Sequence, residues 1–483
     1  MSSLKEKSIS AFAWDFSGRL GLQGVTFIVS VFLARILSPE DFGILAMVNV
    51  VVAISNSFVD MGLASALIQR KELNDDHYGS VFFFNISMGI FMAMALFFSS
   101  NWIAKFYGRE IIGDIAKAMA LIFIINSFGN VIRSKLQREL NFKVLTIASW
   151  TSALISGTIG ILLAFHGLGV WSLVAQAISA PLFGNIVLFI LEKWRPKLIL
   201  RVSAIKQLWN FGFKMFISGI IENTFSQLDY LIIGKAFNPS QLGYYYRAKS
   251  LQNILYSYSA NSIISILFPA LSKLQNQENE YKRALFKTYH LISFVSFFLV
   301  GLFYLIAEDF IVLVFSSKWL PSVELFQIMV LGGFIYPITA LLITVLSSKG
   351  NSSLYLRISI LKRILILPVY FSIFFAGIKL FLYLYIVVSA INLLINMYYA
   401  GKEIDINIKD FLLPLIPYFF IVSILVMFIY YLAHLLNLSM IWDILIRSGM
   451  FTILFFLVAK KIRLHGFEML KTELVNKISK GAE

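Results

Sequence analysis

The 483-residue chain is 59% hydrophobic and only 14% charged, with a mean hydropathy of +0.80. A water-soluble domain of this length needs far more polar surface, so the composition excludes one and points to a polytopic helical membrane protein. There are 41 Lys and Arg against 26 Asp and Glu, a net charge of +15, but the basic residues cluster in short loops between apolar stretches, which marks loop orientation and contact with anionic lipid rather than nucleic-acid binding.

The N-terminus, Met1 to Ser10, is polar and runs directly into an apolar span. That span is too long for a signal-peptide core, so it reads as a retained first helix. A spanning helix needs roughly 20 apolar residues, and about fourteen stretches qualify. The first six lie at 11–36, 41–69, 78–101, 112–134, 144–165 and 169–191. A basic linker, 192–206, carries Lys193, Arg195, Lys197, Arg201 and Lys206. Six more spans follow at 207–236, 241–272, 285–306, 322–347, 352–377 and 379–400. Two further spans, 411–433 and 440–460, precede a polar tail, 461–483. The stretches are continuously apolar rather than alternating, so an all-α integral membrane fold is expected and a β-barrel is not.

The expected domains are an N-terminal six-helix bundle (1–191), the linker, a C-terminal six-helix bundle (207–400), two additional transmembrane helices (401–460) and the tail. One side of the membrane collects about three times as many basic loop residues as the other, which places both termini in the cytoplasm.

The segment Arg35-Ile-Leu-Ser-Pro-Glu-Asp-Phe-Gly43 joins the first two spans as a tight turn. Proline lacks a backbone donor and restricts the residue before it, and glycine allows close packing afterwards. The same device returns 200 positions later as Lys235-Ala-Phe-Asn-Pro-Ser-Gln-Leu-Gly243. Six spans separate the two copies, so the halves are expected to be parallel repeats about an axis along the membrane normal.

Twelve charges fall inside the expected spans: Arg19, Arg133, Lys214, Arg247, Lys249, Arg357, Lys362, Arg363, Asp15, Asp60, Glu222 and Asp229. Each costs roughly 2.5–3.5 kcal/mol at the centre of a spanning helix, so each should face protein or water. Lys214, Glu222 and Asp229 share roughly an 80° arc of one helix. Asn49, Asn56 and Asp60 form a stripe on the second span, and Lys249, Asn253 and Ser257 a row on the eighth. Such stripes can glue helix pairs together; their number favours a shared solvated chamber. Eight basic against four acidic residues would suit a phosphate or diphosphate. The expected substrate ligands are Arg19, Lys214, Arg247, Lys249 and Arg363; Asp60, Glu222 and Asp229 are the ion-coupling candidates.

No nucleotide-binding, zinc-protease, serine-hydrolase or dinucleotide fingerprint is present. No cofactor, metal or nucleic acid is expected, and no catalytic residue. Asp75-Asp76 stands in a short turn with no catalytic domain behind it.

Leu33-Ala-Arg-Ile-Leu-Ser-Pro-Glu-Asp-Phe-Gly-Ile-Leu45, followed by Phe58-Val-Asp-Met-Gly-Leu-Ala-Ser-Ala-Leu-Ile-Gln-Arg-Lys71, resembles the Wzx-type, colanic-acid- and teichuronic-acid-exporter-like polysaccharide flippases of the multidrug/oligosaccharidyl-lipid/polysaccharide superfamily. The layout of two six-helix halves plus two helices resembles that branch over the whole chain. The resemblance implies a secondary transporter in the bacterial cytoplasmic membrane, flipping undecaprenyl-diphosphate-linked oligosaccharide for surface polysaccharide (O-antigen, capsule or exopolysaccharide) synthesis by alternating access. Membrane lipids, a polysaccharide polymerase and glycosyltransferases are the partners to consider. The rival readings are a cation-coupled multidrug antiporter of the same superfamily and a membrane-embedded polymerase. The first predicts about twelve spans and an acidic cavity, the second a large outer loop rich in catalytic residues.

Overall fold

The computed structural model describes residues 2–197, 199–256, 271–274, 277–349, 352–436 and 439–480. Among them there is no strand, and eleven helical stretches are long and apolar enough to cross a membrane. The surface agrees: Phe375, Trp102 and Met427 are 89%, 75% and 73% exposed, which only a lipid-facing surface tolerates on this scale.

The chain divides into two compact units, residues 1–246 and 247–483. In the first unit α1 (Ser2–Ile36) lies along α7 (Phe142–Phe165), because Gly18 and Gly21 leave room for Thr146 and Trp150. Thr146 Oγ1 donates to the Trp14 carbonyl at 3.0 Å and Trp150 Nε1 to that of Gly18 at 2.9 Å.

The turn at Ser38 opens α2 (Pro39–Asp60) through a reciprocal cap. Ser38 Oγ accepts from the Asp41 amide at 3.2 Å, and Asp41 Oδ2 accepts from the Ser38 amide at 2.9 Å. Both satisfy amides that have no partner inside the helix. Asp60 ends α2, and Met61 and Gly62 turn the chain with φ of 46° and 73° into the short α3 (Leu63–Gln69). Then come α4 (Asp75–Tyr107), α5 (Glu110–Met119), α6 (Leu121–Arg138), α7 and α8 (Val170–Leu191).

α9 (Val202–Ala236) packs on α2 and α3. It is a long helix, but it is not among the eleven apolar stretches, because Lys206, Lys214, Glu222, Asp229 and Lys235 interrupt it. The expected eighth span, 241–272, begins as α10 (Pro239–Tyr256) and then passes outside the described residues.

The two proline turns meet within the first unit. A Cβ on Gly43 would stand 1.8 Å from the Pro239 carbonyl oxygen, and one on Gly243 1.9 Å from that of Pro39. The first turns of α2 and α10 therefore cross in backbone contact, each glycine against the other helix's proline.

The second unit is built on α11 (Glu278–Phe315), which packs against α16 (Leu415–Leu436), α17 (Met440–Lys461) and α18 (His465–Lys480). Its core is aromatic: Phe297 stacks on Phe334 and Tyr418, with Phe294, Phe451 and Phe455 alongside. Between them run a 3-10 turn (Ser317–Trp319), α12 (Pro321–Leu331), α13 (Ile335–Ser348), α14 (Ser352–Glu403) and α15 (Ile408–Leu412). At 52 residues α14 would be about 78 Å long, more than twice a bilayer core of about 30 Å. Gly377, with φ of 79°, divides it at the place where the sequence suggests two spans.

Candidate functional site

The polar stripe of α2 is engaged across three helix seams. Asn126 Nδ2 on α6 donates to Asn56 Oδ1 at 3.1 Å, and Asn223 Nδ2 on α9 donates to Ser57 Oγ at 2.7 Å. Asp60 accepts the Ala64 amide on both oxygens at 3.0 Å and Asn85 Nδ2 on α4 at 3.3 Å. Asp60 thus caps α3 and fastens it to α4. Asp60→Ala should cost about 0.5–2 kcal/mol, the range for a lost cap, read as thermal unfolding of the purified protein in detergent; Asp60→Asn should recover most of it.

The other expected ligands occupy different environments. In the first unit Arg19 is 78% exposed on its side chain and pairs with Asp15 at 3.0 Å, one turn back. Lys214 and Glu222 are exposed on α9, while Asp229 is buried and accepts a hydrogen bond from Tyr245. Arg133 is held by Asn185 Oδ1 at 3.1 Å, across the seam of α6 and α8. In the second unit Lys249 and Arg363 are half-buried, and Lys362 donates to Asn396 Oδ1 at 3.2 Å. Arg247 is buried, its guanidinium centre 4.5 Å from the Phe315 ring and 4.7 Å from that of Trp319. In this conformation it presents no open face to a phosphate.

A cleft of about 560 Å³ in the first unit runs between α6 and α8. It is apolar, lined by Ile124, Phe128, Leu182, Ile186 and Phe189, with Arg195 at its edge. Its walls are not those of the expected cationic chamber.

The basic linker is tied to the start of α4. Lys197 reaches Asp75 and Arg201 reaches Asp76, each at 2.7 Å. The hydrogen bond to Asp75 holds the Lys197 ammonium above the ordinary lysine range. The acidic pair is therefore paired with lysine and arginine, and among the described residues no group of three or more His, Asp or Glu could hold a metal ion.

Sequence reasoning passed over one charged group, Asp309, Asp443 and Arg447 in the second unit. The i, i+4 spacing of Asp443 and Arg447 was the available signal.

The chain matches the family model described as polysaccharide biosynthesis protein over residues 32–324. It is 27% identical to an uncharacterized membrane protein in the cps region of Klebsiella pneumoniae, with 95% of this chain and 97% of that one covered. It is 25% identical to the lipopolysaccharide biosynthesis protein WzxC of Escherichia coli (strain K12), over 76% of this chain and 75% of that one. Among solved structures it is similar to the lipid II flippase MurJ in an inward closed conformation, with a TM-score of 0.72 at 14% identity, covering 94% of this chain and 99% of that one. That likeness establishes the all-α membrane fold. With residues 32–324 of 483 matched, the chain belongs to the polysaccharide biosynthesis protein family.

Proposed function

We propose that this chain is a flippase that moves an undecaprenyl-diphosphate-linked oligosaccharide across the bacterial cytoplasmic membrane for surface polysaccharide synthesis. The observation that carries the reading is family membership over more than half the chain. The helical scaffold, without a catalytic motif, fits a transporter rather than an enzyme. Alternating access, energised by an ion gradient, is the mechanism proposed, with both termini in the cytoplasm and the basic linker on that side.

The candidate headgroup ligands are Arg19 and Lys214 in the first unit, and Arg247, Lys249 and Arg363 in the second. Guanidinium and ammonium groups in a low-dielectric setting bind diphosphate oxygens through charge-assisted hydrogen bonds, worth about 1.5–3 kcal/mol each. Of the coupling candidates, Glu222 is exposed on α9, whereas Asp60 and Asp229 are engaged in the hydrogen bonds described above.

The test is transport of a lipid-linked oligosaccharide into proteoliposomes. Arg19→Ala, Lys214→Ala and Arg363→Ala should each slow it roughly tenfold or more, following the energies above. Full activity in all three discards the cationic headgroup site. Absence of transport by the unmodified protein, with several oligosaccharide carriers tried, discards the flippase reading itself.

A further inference from the structure

The apolar cleft between α6 and α8 and the start of the basic linker form one continuous feature of the first unit. Large apolar side chains stay uncovered along it: Phe128 on α6 and Leu182 and Ile186 on α8 are 39%, 40% and 43% exposed. Its back is closed. Asn185 Nδ2 donates to the Ile125 carbonyl across the seam, and Asn185 Oδ1 accepts from Arg133 at 3.1 Å. Gly129 makes room for that carboxamide, since a Cβ there would stand 2.0 Å from Oδ1. Asn126, which meets Asn56 of α2, lies two residues from both Ile124 and Phe128, about 200° round the helix. The cleft thus opens away from the polar stripe of α2, towards lipid.

An apolar furrow of about 560 Å³ is large enough for a small ligand and offers water no partners, so in a bilayer it takes hydrocarbon. Along α8 it runs from Leu182 to Ile190, about 12 Å at 1.5 Å per residue. One leaflet's share of the hydrocarbon core is about 15 Å.

The linker end is basic. Glu192 is taken by Lys135 at 3.3 Å, and Lys197 and Arg201 are taken by Asp75 and Asp76. Lys193 and Arg195 are exposed, and neither forms an ion pair among the described residues. Arg195 caps α8: Nη2 donates to the Phe189 carbonyl at 2.6 Å and Nη1 to that of Trp194 at 3.0 Å. Its guanidinium centre lies 5.7 Å from the Phe189 ring, at the edge of the cleft. The cap fixes the cation in place without a carboxylate to neutralise it.

We propose that this cleft binds one anionic glycerophospholipid of the leaflet on the linker's side. An acyl chain lies against Ile124, Phe128, Leu182 and Ile186, and the phosphate sits on Arg195 and Lys193 through charge-assisted hydrogen bonds. A zwitterionic lipid brings its own ammonium group, so the two cations select against it. A polyprenyl carrier is far longer than the furrow and would leave most of its chain outside. None of the five proposed headgroup ligands lines the cleft, so the site is separate from the transport site.

The experiment is photo-crosslinking of the full-length protein in detergent with phosphatidylglycerol carrying a diazirine in its acyl chain, the adducts being mapped by mass spectrometry. They should concentrate on residues 124–128 and 182–190. Unlabelled phosphatidylglycerol should displace the probe, and phosphatidylcholine should do so far less well. Lys193→Gln and Arg195→Gln should each weaken binding about fivefold, and the pair about thirtyfold, as expected for basic residues facing anionic lipid. Ile186→Trp and Leu182→Trp fill the furrow from exposed positions, and each should remove these adducts while adducts elsewhere persist. Adducts spread evenly over the apolar helices, equal displacement by phosphatidylcholine, or adducts that survive both tryptophan substitutions overturn the proposal. Displacement by undecaprenyl phosphate at lower concentration than by phosphatidylglycerol gives the furrow to the carrier lipid and overturns it too. None of these readings uses transport, so the lipid site and the flippase reading fail separately.

Discussion

Gly43→Val is expected to slow transport about fivefold or more while the protein still inserts and purifies as a helical monodisperse species. Gly43 lies in the first turn of α2, and its Cβ would stand 1.8 Å from the carbonyl oxygen of Pro239. Real Cβ contacts do not fall below 3.0 Å, so the two backbones must part by more than an ångström. No side chain can rotate to relieve this, since the obstructing atoms belong to the backbone. The capping box at Ser38 and the Asn238 Oδ1 bond to the Gln241 amide, at 2.9 Å, hold both turns in place. Overpacking of this kind costs about 1–3 kcal/mol, which depletes the conformation with the turns in contact by about 5–150-fold.

The mirrored position makes the prediction sharper. Gly243→Ala drives a methyl group into the Pro39 carbonyl, so it should act in the same direction. The pair Gly43→Ala and Gly243→Ala should cost less than the sum of the two, because the first substitution already separates the helices. The chain has no cysteine, so Phe42→Cys with Tyr246→Cys, whose native rings lie 6.4 Å apart, can be joined by a short bis-maleimide without background. Gly43→Val should reduce that cross-linking alongside transport. Wild-type cross-linking and transport together in Gly43→Val would refute the contact as a working part of the cycle.

This contact was half visible in the sequence. Ser38-Pro39 and Asn238-Pro239 announce turns through local chemistry, and their shared spacing to a glycine announces close packing. That each glycine meets the other helix's proline carbonyl is a tertiary fact no local pattern encodes. Most span positions were legible for the same kind of reason: in lipid every backbone group must be satisfied within the helix, so apolar length alone marks a crossing. The breaks inside spans were less legible. The segment expected at 112–134 is interrupted at Ala120, and that at 322–347 between Leu331 and Ile335. Interruptions of so few residues leave the hydropathy unchanged. The stripe of Asn49, Asn56 and Asp60 was legible, but a stripe has no address: only the packed helices show that Asn56 meets Asn126 and Asp60 meets Asn85, and that Ser57, outside the stripe, meets Asn223.

Arg247 is where the two readings of a membrane charge separate most clearly. It is 2% exposed, and the rings that enclose it, Phe315 and Trp319, are fully buried. A guanidinium stacked over aromatic faces and removed from solvent gains about 2 kcal/mol or more from each such contact, and truncating a large buried side chain leaves a cavity besides. Arg247→Ala should therefore destabilise the protein by about 3 kcal/mol or more, measured by thermal or denaturant unfolding in detergent. Arg247→Lys should recover little, because an ammonium has no planar face to stack and a lysine carries its charge at a point. The pattern of the two variants decides the role. If Arg247 holds the aromatic pocket, unfolding and transport should decline together in both, and Phe315→Leu should weaken stability in the same direction. If it binds diphosphate in another conformation of the cycle, Arg247→Lys should keep much of the transport, since lysine also binds phosphate. A stable Arg247→Ala protein that fails only in transport would assign this arginine to the substrate and leave the aromatic enclosure as its resting place.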